Sequence, residues 1–418
     1  MPALVVRTQA LDTASDLVEA LGPRDGVLWT RGGEGLVGRS EVARLDVGTG
    51  ETRFARAAEQ LTEMFAAAEV HDEVGAPGCG PVAFASATFD AREAGSVLVV
   101  PAVVTGRRAG RAWRTVAGEV TPPLRRGDGG RADGDAPDGG DADRRIRYAG
   151  SSIPDVAWLE AVATAGRRIE EGALDKVVLA RDQAVWSRTP FDQRRLARRL
   201  ADRFPDCYTF CVDGLIGATP ELLVRRMATA VESLVLAGTA RRGTDTADDD
   251  AVGEQLLASE KERREHSLAV TSVAEVLQGR CADLTVDPEP FLLRLANVQH
   301  LATRVRGTLA GPSPPTALEL VGALHPTAAV CGTPTAGARA LIRELEGMDR
   351  GRYAGPVGWV DIRGDGEFGI ALRCAQLAGA RARLFAGSGI VTGSLPEAEL
   401  EETRLKLRAM RSAFEGQA

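Results

Sequence analysis

Beyond residue 150, short apolar, β-branched runs follow one another with only occasional helical stretches between them, and this texture restricts the fold more than any other feature of the chain. Strands are expected at Lys176–Trp186, Cys207–Asp213, Leu222–Met227, Ala230–Leu236, Phe291–Leu295, Val298–Gly307, Gly355–Ile362, Glu367–Ala378 and Arg383–Val391. Helical patterns cover Asp155–Glu171, Phe191–Phe204, about Val252–Leu277, Thr316–Leu324, Thr335–Glu346 and Pro396–Phe414. Strict alternation of strand and helix would mark a doubly wound sheet. Its rarity predicts an α+β fold, with large mixed or antiparallel sheets flanked by helices. Residues 1–124 read as a strand-rich N-terminal part with one helix near Arg53–Ala68 and no chemical motif. The Gly/Asp/Arg-rich segment 125–145 contains no apolar residue except alanine, which predicts a disordered surface loop. No second linker follows residue 150, so residues 150–412 are expected to be one unit within a single large domain.

Charge narrows the function. With 51 basic and 58 acidic residues the formal net charge is −7, so no basic surface recommends a nucleic-acid partner. An acidic protein acting on an anion needs local positive charge, from a metal or from placed arginines. The six cysteines (Cys79, Cys207, Cys211, Cys281, Cys331 and Cys374) show neither a CxxC pair nor zinc spacing. Together with the lack of a signal-like or spanning apolar segment at the start, they predict a soluble cytoplasmic protein with no membrane association. Only three of the 51 basic residues are lysines: Lys176, Lys261 and Lys406. In a chain that uses arginine almost everywhere, a retained lysine is a candidate for work a guanidinium cannot do, as a proton acceptor or a compact point charge. Chance survival is the alternative.

Two acidic pairs stand at helical spacing, Glu262 with Glu265 and Glu399 with Glu402. Carboxylates from two facing helices suit Mg2+, but solvated i, i+4 pairs of Glu265 with Lys261 and Glu402 with Lys406 would explain the same pattern. Lys176 opens an apolar strand, where a lysine either snorkels to water or occupies a cleft. Glu221 follows Pro220 and is either exposed at a turn or a protonated general acid. Arg373, inside the apolar run FGIALRCA, requires an anion, whether a ligand or a structural carboxylate. Gly387 and Gly389 could offer backbone N–H groups to a carboxylate. His325 fits core packing and ligand contact equally well.

Eight segments in this order carry a resemblance: LDKVVLAR, GATPELL, LAGTARRG, SEKERREH, LHPTAAVCGTP, RGRYAGPVGW, FGIALRCA and AGSGIVTGSLPEAELEETRLK. Over about residues 150–412 the chain resembles the chorismate-utilising enzymes, the anthranilate synthase component I-like family. Within that family it is most similar to isochorismate synthases of menaquinone and catechol-siderophore pathways. The resemblance implies a chorismate-binding catalytic region, with Lys176 as the base that activates water and Glu221 as the acid assisting departure of the C4 hydroxyl. It further implies Mg2+ on Glu265 and Glu402, with Glu262 and Glu399 in or near the outer shell. Arg373, Tyr353 and the Gly387 backbone would hold substrate carboxylates, and Gly238, Thr239 and His325 would line the ring pocket. Ser388 departs from the family, which more often has alanine there, and could add a hydroxyl near the carboxylate. A monomer acting on a small molecule without a glutaminase subunit is expected. The rival readings are a salicylate synthase, which goes on to eliminate pyruvate, and a non-catalytic chorismate-binding paralogue. The HPTAAVCGTP and RGRYAGPVGW segments favour the simple synthase.

Overall fold

The computed structural model describes residues 4–13, 15–118 and 146–416. The 125–145 segment, expected to be a disordered loop, lies outside them. Among the described residues, 21 strands and eight helices form one α+β domain. All strand pairings but one are antiparallel, the exception being Val5–Leu11 with Glu69–Asp72.

Pairing runs two ways from strand Val97–Arg108. One series passes through Glu34–Asp46, Val27–Arg31, Tyr208–Val212, Leu215–Thr219, Cys374–Ala378 and Arg381–Ile390 to Lys176–Trp186. The other passes through Val82–Ser86, Pro356–Asp361, Gly366–Ile370, Leu222–Met227 and Ala230–Arg241 to Val298–Leu309. The N-terminal third is thus threaded into the sheets: Thr30 pairs with Thr209, and Phe84 with Trp359. Strands this deeply buried need no polar alternation; Lys176–Trp186 is buried over its first seven residues.

Two expected elements prove to be divided. The single helix expected over about Val252–Leu277 is two, Thr246–Ala258 and Glu260–Gln278. Ser259 separates them with extended backbone (φ −69°, ψ 113°), and its side chain accepts the Glu262 N–H as an N-cap. The strand expected over Glu367–Ala378 is likewise two, Gly366–Ile370 and Cys374–Ala378. Arg373, at φ +47°, stands in the break rather than within a strand. Strands Leu215–Thr219 and Cys281–Val286 were not expected.

A buried carboxylate fastens the N-terminal strands to the rest. Glu367 accepts from Trp29 Nε1 at 3.1 Å and Trp359 Nε1 at 3.4 Å, and pairs with Arg108 at 3.1 Å and Arg225 at 2.7 Å. Burial works against its charge, but the two guanidiniums hold the carboxyl below its ordinary range. Trp29 also stacks on Tyr208 at 4.9 Å. Removing the anion leaves two indole N–H groups and Arg108 without it, although Arg225 keeps Glu232 at 3.0 Å, so Glu367→Ala should lower the unfolding free energy by about 3 kcal/mol in chemical denaturation. An unchanged denaturation midpoint would contradict this fastening role.

Candidate active site

The two series of strands end around one cleft, and its functional side chains converge from several strands, two helices and the turns between them. Lys176 starts strand Lys176–Trp186 and has no exposed surface. Its Nζ lies 3.0 Å from Glu265 Oε1, close enough for an ion pair though outside hydrogen-bond geometry. Glu265 and Glu262 come from helix Glu260–Gln278, and Glu399 and Glu402 from helix Pro396–Glu415. Neighbouring strand Arg381–Ile390 leaves room for them through its glycines. A Cβ added at Gly389 would lie 2.2 Å from Glu265 Oε1 and 3.2 Å from Lys176 Cε; one at Gly387 would lie 3.0 Å from the Tyr353 hydroxyl. These glycines therefore provide clearance, and the Gly387 carbonyl accepts from Lys406 Nζ at 2.9 Å.

The acid residues divide by environment. Glu221 is buried, and desolvation pushes its carboxyl up to about 8 against the pull of Lys176, Arg373 and Lys406. At neutral pH it is a neutral acid, not an exposed turn carboxylate. Glu262 is pushed up to about 7, by burial first and then by the charges of Glu265 and Glu402. Its Oε2 accepts the Thr239 N–H at 3.1 Å. Glu402 is also desolvated, yet its pairing with Lys406 holds it below the usual range.

Cationic groups divide too. Arg350, at the cleft wall, is fully used: it donates to Val330 O at 2.9 Å and Val178 O at 2.8 Å and pairs with buried Glu346. Arg373 is different. Among the described residues no carboxylate pairs with it, and its buried Nε has no partner. Its Nη2 donates to His300 Nε2 at 3.1 Å. Burial, followed by the charges of Arg373 and Lys406, drives His300 well below its ordinary pKa, so the ring is neutral and its Nδ1–H can donate to Gly238 O at 3.2 Å. A buried guanidinium facing a cleft without a counter-ion is an anion-binding group.

Most residues singled out in the sequence meet here. Glu221, Gly238, Thr239, Glu265, Tyr353, Arg373, Gly387 and Gly389 line a cleft with about 590 Å³ of atom-free space, part of it continuous with solvent. Lys176, Glu262 and Glu402 adjoin this lining through their contacts with Glu265, Thr239 and Lys406, and Glu399 pairs with Lys261 beside Glu262. His325 is a correction. It lies away from the cleft lining, with Nε2 on Phe89 O at 2.9 Å and its ring edge-on to Phe54 and Phe89. Buried there, it is pulled down to about 3 and serves packing. Ser388 donates to Glu399 Oε2, not toward the cleft. His300 and Arg350 join the lining unforeseen; a single histidine in an apolar strand gives no local signal, and only the pairing of Thr239 with His300 brings it in.

Among the described residues, no three His, Cys, Asp or Glu side chains are already gathered to hold a metal. Both carboxylates on helix Pro396–Glu415 instead meet an ammonium, Glu399 with Lys261 at 2.9 Å and Glu402 with Lys406. The donor set nevertheless suits a hard divalent cation. It is all carboxylate oxygen on two helices, and the upward shift of Glu262 registers like charges crowded out of water.

A family model for "Chorismate binding enzyme" matches residues 23–415, and the chain belongs to that family. Among its relatives, isochorismate synthase DhbC of Bacillus subtilis is 43% identical over 258 residues, 59% of this chain and 65% of DhbC. Isochorismate synthase EntC of Escherichia coli K12 is 41% identical over 269 residues, 63% of this chain and 68% of EntC. The alignment thus spans just under two thirds of DhbC. The solved structure of MenF, the menaquinone-specific isochorismate synthase of E. coli, superposes with a TM-score of 0.78 at 26% identity, covering 99% of this chain and 95% of that one.

Glu221 also leaves a stability signature. Folded, it takes up its proton at about 8; unfolded, near the ordinary 4.5. Its contribution is therefore full below the lower value and lost as pH rises to the upper one. Glu221→Gln removes that loss, so the Tm advantage of the variant should grow across this window and then level off. An advantage that stays flat from acid to neutral pH would contradict a buried neutral acid.

Proposed function

We propose that the chain is an isochorismate synthase, an isomerase that converts chorismate to isochorismate. The oxygen of water bonds to ring C2, the ring double bonds shift, and the C4–O bond breaks. Lys176, in its uncharged amine form, accepts the proton of the attacking water and becomes the ammonium that pairs with Glu265, and Glu221 gives its proton to the departing hydroxyl, which leaves as water. Each transfer typically contributes ~10²–10⁴-fold. The observation that carries this reading is Glu221, a carboxyl kept neutral at pH 7 by burial in the same cleft that receives an arginine without a counter-ion.

Chorismate is a dianion. Arg373 and the Tyr353 hydroxyl take one carboxylate, and Gly238 and Thr239 lie along the ring. Glu265 and Glu402, with Glu262 and Glu399 around them, would hold Mg2+, which would supply the positive charge for the other carboxylate. His300, neutral and tied to Gly238 O, accepts from Arg373 and so fixes its direction. Because water is the nucleophile, no glutaminase subunit is needed to deliver ammonia. The six thiols are free, five of them buried, which favours a reducing cytoplasm. No helix among the described residues is long and apolar enough to cross a membrane.

Incubating the purified protein with chorismate and Mg2+ tests the assignment. Isochorismate should accumulate; prompt salicylate fluorescence at neutral pH without an added lyase would instead assign a salicylate synthase, and no turnover a binding paralogue. Lys176→Ala should retain chorismate binding and lose at least ~10²-fold in kcat; wild-type turnover would remove Lys176 from the mechanism. For the wild type, kcat/KM should fall as pH rises through about 8, where Glu221 loses its proton. Glu402→Gln should sharply weaken the Mg2+ dependence, and an unaltered metal titration would count against that ligand set.

A further inference from the structure

The three lysines of the chain all lie on the four acidic residues of the cleft. Lys176 meets Glu265 and Lys406 meets Glu402. Lys261 reaches across from one acidic helix to the other: its Nζ lies 2.9 Å from Glu399 Oε1 and 3.6 Å from Glu262 Oε1. Glu399 is buried, with Ser388 Oγ on its second oxygen, so Lys261 is its cation. The lysine side chain itself is 34% exposed, leaving a flexible stem with a route to solvent.

We propose that Lys261 is a tethered counter-cation that bridges the two acidic helices through Glu399 and Glu262 and competes with the divalent cation for the same carboxylates. This rests on the Mg2+ reading above and adds a residue that sets how tightly the ion is held. An ammonium within 4 Å of two of the four carboxylates both neutralises them and repels an incoming dication, so the ion binds more tightly as Lys261 withdraws. The residue type fits the task. An ammonium makes single-point contacts on a mobile stem and lets go readily, whereas a guanidinium would grip the carboxylate through two parallel hydrogen bonds. The chain places one of its three lysines here although it has 48 arginines.

The test is calorimetric titration of Mg2+ alone into the full chain. Lys261→Met should tighten Mg2+ binding by about two- to fivefold, the scale of a partly exposed ion pair. Lys261→Arg should weaken it. Lys261→Gln replaces the Met variant if that one does not fold. In a Glu399→Gln background the tightening by Lys261→Met should shrink to less than about twofold, because only the longer contact with Glu262 remains. A tightening of undiminished size there would reveal a general field effect and overturn the proposal, as would unchanged or weaker binding in Lys261→Met. If the wild type takes up no Mg2+ at all, with or without chorismate, the metal reading itself fails and this inference with it.

Discussion

Taking several charges out of water in one cleft is the constraint around which this structure is arranged. A lysine with no exposed surface and a neighbouring carboxylate survive burial only together, as Lys176 and Glu265 do at 3.0 Å. The same rule places Lys406 on Glu402 and Lys261 on Glu399. Where pairing runs short, protonation takes over, and burial keeps Glu221 neutral up to about 8. Arg373 is the group for which neither remedy is supplied, which is why the proposed function assigns it a substrate carboxylate.

The sheet makes this density of charge possible. Strand Arg381–Ile390 pairs along ten residues with Lys176–Trp186, setting Gly389 against Val178 and Gly387 against Ala180. Any side chain at Gly389 would occupy the position of the Glu265 carboxylate. On the other series, the irregularity between Ala237 and Thr239 turns Gly238 to φ +78° and brings the Thr239 N–H onto Glu262. Breaks in regular pairing, at Arg373 and at Pro220–Glu221, supply the remaining two groups. The side chains proposed as acid and base thus come from a strand end and an interruption, where the ladder leaves room for a ligand.

Much of this was legible in the residues. The α+β class followed from crowded apolar runs, and the strand Lys176–Trp186 was placed to the residue. The acidic pairs and Lys176 could be recognised because helical spacing and the rarity of lysine are local signals. Other features were not local. Ser259 as a cap inside an otherwise helical pattern looks like any exposed serine, so one helix was expected where two exist. His300 enters the cleft only through its cross-strand pairing with Thr239, more than sixty residues away. His325 was misassigned for the converse reason: the Phe54 and Phe89 rings that claim it come from the N-terminal third, which carries no recognisable motif.

The central claim is that the cleft delivers a solvent oxygen to the ring at C2 while a buried neutral acid releases another from C4. Turnover in 18O-enriched water tests it most directly. The account predicts one labelled oxygen per isochorismate, at the C2 hydroxyl, with none at the carboxylates. Product that retains only the unlabelled hydroxyl of the substrate would show an internal migration, and the roles given to Lys176 and Glu221 would be wrong.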